Sequence, residues 1–182
     1  MSPRQPAPTD PRLRLLIVDD DRLMLAMLSD VFMSQFEITT ASGGEAALEM
    51  LEQKSVAAVL CDHVMPGLTG VEVLARAREL QPSAVRILIT ASEDVETIRD
   101  AVNLAHVQRV IAKPVHPVEV EGIVLGAIHE RELELENERL VAELKAALAE
   151  VKAREVELER ELKVRTDELR DVLRRVRGYP TV

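Results

Sequence analysis

Five short apolar runs, spaced at regular intervals and separated by stretches of helical period, constrain this chain more than any other feature. The runs are Leu13 to Val18, Phe36 to Thr40, Val56 to Cys61, Val85 to Thr90 and Val107 to Ala112, and each reads as a buried strand. Between them lie amphipathic stretches at Asp21 to Ser34, Gly44 to Gln53, Gly70 to Leu80 and Asp94 to Leu104. Ser42 followed by Glu45 reads as a capping box that opens the second helix. Strand and helix alternating about every 20 residues specify an α/β domain whose parallel sheet is covered on both faces.

A different pattern follows. Pro117 suits the first turn of a last helix, and after Gly126 neither glycine nor proline occurs until Gly178. One uninterrupted helix of roughly 60 residues, about 90 Å long, is expected. So long a helix cannot bury its apolar stripe on so small a domain, and a partner helix is implied. Spacings of three and four link Leu133, Asn137, Leu140, Leu144, Ala147, Val151, Glu155, Leu158, Leu162, Arg165, Leu169, Val172 and Val176 into a coiled-coil seam. Two successive fours around Val151 mark a stutter, and Asn137, Glu155 and Arg165 are polar intrusions that weaken the seam while fixing register. A parallel homodimer is the first expectation, because a helix continuous with the domain brings two copies together. The expected organisation is a disordered leader over 1–11, which holds four prolines, a globular domain over 12–128, a coiled-coil helix over 129–177 and a tail over 178–182.

Composition narrows the function classes. With 182 residues and 47% hydrophobic content there is room for one ordinary domain and an appendage. Phe32, Phe36 and Tyr179 are the only aromatics, which disfavours base-stacking platforms for single-stranded nucleic acid. A formal net charge of -9 and a pI of 5.0 repel a phosphate backbone. The small basic run Arg170 to Arg177 reads as a solvated helix end, so no nucleic-acid partner is expected. Cys61, the single cysteine, excludes an intrachain disulfide and reads as a small buried hydrophobe suited to a reducing cytosol. No stretch approaches the roughly 20 apolar residues of a membrane span, and Met1 to Pro11 lacks the apolar core of a signal peptide. A soluble, cytoplasmic protein is expected.

In an open parallel sheet, ligands lie outside the carboxyl ends of the strands. Those ends carry Asp19 and Asp20 after the first strand, Asp62 after the third, Thr90 after the fourth and Lys113 after the fifth. Converging carboxylates repel unless a cation is present, and Mg²⁺ suits an all-oxygen site of this kind. Asp62 could then act as a carboxylate nucleophile toward a phosphoryl group. The ion and Lys113 would neutralise charge on the transferring group, and Thr90 could donate a hydrogen bond to its oxygens. His63 adjoins Asp62 and could act as a base, but reads as a loop histidine beside the site; His106, His116 and His129 lack partners at metal-ligand spacing and read as surface residues.

Four segments carry a family resemblance: Leu15 to Asp21, Cys61 to Gly67 with Gly70 following, Ile89 to Ala91, and Ala112 to Pro114. Over residues 13 to 128 the chain resembles the receiver domain of two-component response regulators. The resemblance implies a flavodoxin-like, doubly wound five-stranded sheet, phosphorylation by a histidine kinase or phosphotransfer protein, and slow self-dephosphorylation. It makes Asp62 the phosphoacceptor. Asp20, Asp62 and the backbone carbonyl of Val64 become magnesium ligands, and Asp19 the holder of metal-bound water. Thr90 takes the part of switch hydroxyl, Lys113 that of phosphate-binding lysine, and Pro66 and Gly67 shape the loop. Val110 stands where the family usually has an aromatic switch residue. Val64 and Ser92, at the positions that tune dephosphorylation, offer no carboxylate or amide to position water, which implies a long-lived phosphoryl form.

The resulting expectation is a regulatory phosphoacceptor, not an enzyme acting on other molecules, that signals through a dimeric coiled coil to a downstream protein. The alternatives are the front part of a longer protein with an enzymatic output domain (a cyclic-dinucleotide enzyme, kinase or phosphatase), a scaffold with a vestigial receiver, and an aspartyl-phosphate phosphatase for small molecules.

Overall fold

The computed structural model describes residues 14–91 and 95–177, with side chains omitted at 95–97, 176 and 177. The expected leader and tail, and Ser92, lie outside the described residues. Strands β1 (Arg14–Val18), β2 (Glu37–Ala41), β3 (Ala58–Asp62), β4 (Val85–Thr90) and β5 (Arg109–Ala112) alternate with helices α1 (Arg22–Phe32), α2 (Gly44–Gln53), α3 (Gly70–Leu80), α4 (Val95–Asn103) and α5 (Pro117–Arg177). All strand pairs are parallel, in the order β2-β1-β3-β4-β5. The chain therefore steps outward from β1 to β2 and returns to the other side of β1 as β3. A crevice opens at the carboxyl ends of β1 and β3, where that direction reverses.

Side chains alternate across the sheet and fill two cores. Leu15, Ile17, Leu60, Ile87 and Ile89 pack with Leu28 and Phe32 of α1 and with Val120 and Val124 of α5. On the other face Leu16, Val18, Val59 and Leu88 meet Ala47 and Leu51 of α2, Val73 and Leu74 of α3, and Ala101 of α4. Burial on both faces is why the central strands read as continuous apolar runs. Each fully buried Leu or Ile contributes roughly 1.5–3 kcal/mol, so aliphatic side chains suffice for a core with few aromatics. Phe32 and Phe36 form an edge-on pair with ring centroids 6.0 Å apart.

Three local expectations are corrected. Asp62 is the last residue of β3 rather than the first beyond it, paired in register with Ile89. β5 begins at Arg109 and not Val107, because the chain turns through His106 at φ 48° and the Val107 N–H returns to the Ala101 carbonyl. The capping box at Ser42 and Glu45 does not form, since Gly43 occupies the N-cap of α2 and Ser42 stands one residue too early. A capping box forms instead at α3, where Thr69 and Glu72 satisfy each other's backbone N–H groups.

Arg86 is the one charged side chain in β4, which is otherwise apolar up to Thr90 at its end, and it is buried. Its guanidinium donates to the carbonyls of Ala105 (2.9 Å) and His106 (3.2 Å), just beyond the last turn of α4, and to that of Ala84 (2.6 Å), just before β4.

The chain divides into two compact units between Glu134 and Leu135. The first contains the sheet and the N-terminal part of α5. In the second, the remainder of α5, every described side chain is exposed. Ion pairs there join residues three or four apart, among them Arg139 with Glu143 (2.9 Å) and Arg165 with Glu168 (3.2 Å). Such exposed pairs are worth only about 0.3–0.5 kcal/mol each. Among the described residues no helix is long and apolar enough to cross a membrane.

Candidate functional site

Register carries the functional side chains to one place. Val18 pairs with Cys61, so the next residues, Asp19 and Asp62, stand side by side where β1 and β3 end. Thr90 pairs with Ala112, and the Lys113 N–H donates to the Thr90 carbonyl at 2.9 Å, which sets the lysine against the end of β4.

Three consecutive aspartates divide the work at the end of β1. Asp19 is buried, and its Oδ1 accepts the Asp21 N–H at 2.8 Å. Asp21 caps α1 by accepting the Leu23 N–H at 2.8 Å. Asp20 between them is exposed. Carboxylate oxygens of Asp19, Asp20 and Asp62 lie within 4.8 Å of one another. The Lys113 ammonium reaches in from β5, 2.9 Å from Asp62 Oδ1 and 3.6 Å from Asp19 Oδ2. The peptide bond after Lys113 is cis.

The electrostatics of the cluster are unbalanced. Burial raises the Asp19 pKa, the Asp21 N–H pulls it back, and the neighbouring charge of Asp62 raises it further. Asp19 Oδ2 is buried with no hydrogen-bond partner. Burial alone would lower the Lys113 pKa, but its contacts with Asp62 and Asp19 outweigh that and hold it above the ordinary value. Three acidic groups with one ammonium, and a buried oxygen left without a donor, are a donor set that fits a hard divalent cation. Cys61, beneath the site, is kept a thiol by burial and by the charges of Asp62 and Asp19, and its Sγ lies 3.3 Å from the Asp62 carbonyl.

The loop after β3 is folded tightly against this cluster. Gly67 adopts φ +83°, and the Gly70 N–H donates to the His63 carbonyl at 2.9 Å. A Cβ on Gly70 would lie 2.2 Å from the Asp62 carbonyl oxygen, so the first residue of α3 rests on the backbone of the acidic residue itself. Val64 lies in this loop with its side chain exposed, and Pro66 is exposed beside it.

Asp19, Asp20, Asp62, Thr90 and Lys113 are thus gathered at the strand ends as expected. His63 is half-buried with its Nδ1 unpartnered, whereas His106, His116 and His129 are exposed and apart from the cluster. Val110 is half-buried against the α2, α3 and α4 side of the core. Sequence reasoning missed Arg86 and the cap at Thr69, although a lone charge within an apolar run and a Thr-x-x-Glu spacing were signals for both.

The fold and the crevice define a class: a doubly wound α/β domain with clustered carboxylates and a lysine at adjoining strand ends. Residues 15–124 match the response regulator receiver domain, and the chain belongs to that family. It is 34% identical over 139 residues to the hydrogenase transcriptional regulatory protein HoxA of Cupriavidus necator, covering 76% of this chain and 29% of that protein. It is 35% identical over 102 residues to a cyclic di-GMP phosphodiesterase of Thermotoga maritima, covering 56% of this chain and 27% of that one. The crystal structure of a CheY-like receiver domain protein from Methanospirillum hungatei JF-1 superposes with a TM-score of 0.64 at 28% identity, covering 66% of this chain and 97% of that one. The chain spans less than a third of the length of these two curated relatives.

Proposed function

We propose that the receiver, residues 12–128, takes a phosphoryl group on Asp62 from a histidine kinase or a histidine phosphotransfer protein. The single observation that carries this reading is the Asp62 carboxylate, buried among acids yet 2.9 Å from the Lys113 ammonium. In the transfer, an Asp62 carboxylate oxygen forms a bond to phosphorus as the bond from phosphorus to the donor imidazole breaks and the imidazole leaves. Asp20, Asp62 and the Val64 carbonyl would hold Mg²⁺ directly and Asp19 through water; when bound, the ion neutralises the carboxylates and the charge on the phosphoryl oxygens. Lys113 keeps its contact to the phosphorylated centre, and Thr90 donates its hydroxyl to a phosphoryl oxygen. Val64 and Ser92 supply no carboxylate or amide to orient an attacking water, so the acyl phosphate is long-lived.

The output passes through the coiled-coil helix over 129–177, which pairs with a second copy and presents a surface to a downstream protein in the cytoplasm. A second reading treats this chain as the receiver and stalk of a longer protein with an enzymatic output domain, and its support is the small share of its relatives that it spans.

Acetyl phosphate with magnesium tests the acceptor. Intact-mass spectrometry should show one added phosphoryl group on the wild type and none on Asp62→Asn. An unmodified wild type, or an Asp62→Asn chain modified equally, removes the proposal.

A further inference from the structure

The second unit carries a stripe of large apolar side chains exposed by 43% to 66%. With Val141 and Leu148 in place of Leu140 and Ala147, spacings of three and four alternate without interruption from Val141 to Val172, and the stutter lies outside that stretch. One set of seam positions is then Val141, Leu148, Glu155, Leu162 and Leu169, and the alternate set is Leu144, Val151, Leu158, Arg165 and Val172. Two charged residues, of opposite sign, stand among these ten. In a parallel pair of identical helices every seam residue meets itself, so Glu155 would face Glu155 and Arg165 would face Arg165.

We infer that the occupant of this stripe is a second copy of the same helix lying antiparallel, with the two-fold axis level with Arg160. This deepens the dimer reading above and rests on it. About that axis Glu155 meets Arg165 of the second copy, Leu158 meets Leu162, Val151 meets Leu169 and Leu148 meets Val172. Each pair joins a residue of one set to a residue of the other, so the apolar layers close without a gap. Both charges in the seam find opposite partners, twice per dimer. Arg154 also comes beside Glu168 of the second copy, twice on one flank. Glu159 and Glu161 meet their own copies near the axis, on wet flanks where salt screens the repulsion. In the single helix Arg165 holds Glu168 and Arg154 holds Glu157, and dimerisation exchanges these local pairs for ones across the interface.

Charge reversal in the full chain, followed by sedimentation equilibrium, separates the arrangements. Glu155→Arg should weaken the dimer by about tenfold or more, and adding Arg165→Glu should restore it. In a parallel dimer Glu155→Arg exchanges one like pair for another and the double variant rescues nothing; that result overturns the proposal. Disulfide trapping gives a second readout, with the native Cys61 buried and out of reach. The two 155 positions of an antiparallel dimer lie about 15 Å apart along the axis, so Glu155→Cys alone should not crosslink. Glu155→Cys combined with Arg165→Cys should trap the dimer. Crosslinking of the single variant overturns the antiparallel arrangement and leaves the dimer standing. A wild type that sediments as a monomer at every concentration overturns both.

Discussion

Asp19 holds its proton more firmly than a free carboxyl, because burial and the charge of Asp62 oppose ionisation. Its folded pKa lies above the unfolded 3.8, so the charge disfavours folding at neutral pH, and the penalty fades as pH falls into the window just above 3.8. In chelator, Asp19→Asn should therefore stabilise the protein at neutral pH by about 0.5–1 kcal/mol while still accepting the Asp21 N–H. Urea unfolding at several pH values should show this advantage vanish on acidification, and magnesium should stabilise the wild type far more than the variant. Lys113 has the opposite sign. Its raised pKa means its pairing contributes fully below 10.5 and is lost only as pH climbs above the folded value. At Gly70 the constraint is steric: a methyl group 2.2 Å from the Asp62 carbonyl forces α3 off the end of β3. Gly70→Ala should cost about 2–4 kcal/mol in urea unfolding and slow acetyl phosphate labelling at Asp62, because the acceptor's own backbone must shift.

Two helices were legible to the residue from their amphipathic period. α2 and α3 begin at Gly44 and Gly70 and end where the sequence places them. Strand ends were read less evenly: β4 matches over Val85–Thr90, but β2, β3 and β5 are shifted, because a strand stops where its neighbour stops offering hydrogen bonds, and that is a property of the sheet. Asp62 joins β3 because the His63 N–H still reaches the Ile89 carbonyl at 2.8 Å. Val107 is excluded from β5 by the turn at His106. The capping pattern was present at both Ser42 and Thr69, and only the backbone decides between them: Thr69 sits at the N-cap, while Ser42 precedes one. Thr69→Ala should accordingly cost about 1 kcal/mol, and Ser42→Ala should leave the urea midpoint nearly unchanged. The acid cluster was legible for a simpler reason. Parallel strands all point the same way, so residues that follow apolar runs must gather at one edge of the sheet.

For the molecule as a whole, the division at Glu134 predicts two separable behaviours. A chain ended after Glu134 should keep the far-ultraviolet signal of the receiver and its acetyl phosphate labelling. The full chain should gain helical signal as its concentration rises, because the exposed stripe of α5 gains stability only when covered. That stripe was visible as periodicity, and in the structure its described side chains are exposed. A further consequence follows from Arg86 and the carbonyls it gathers from the ends of β4 and α4. A guanidinium stays protonated across the whole physiological range, so acid cannot unfasten this joint. The fastening of β4 to the end of α4 through Arg86 therefore holds at any physiological pH.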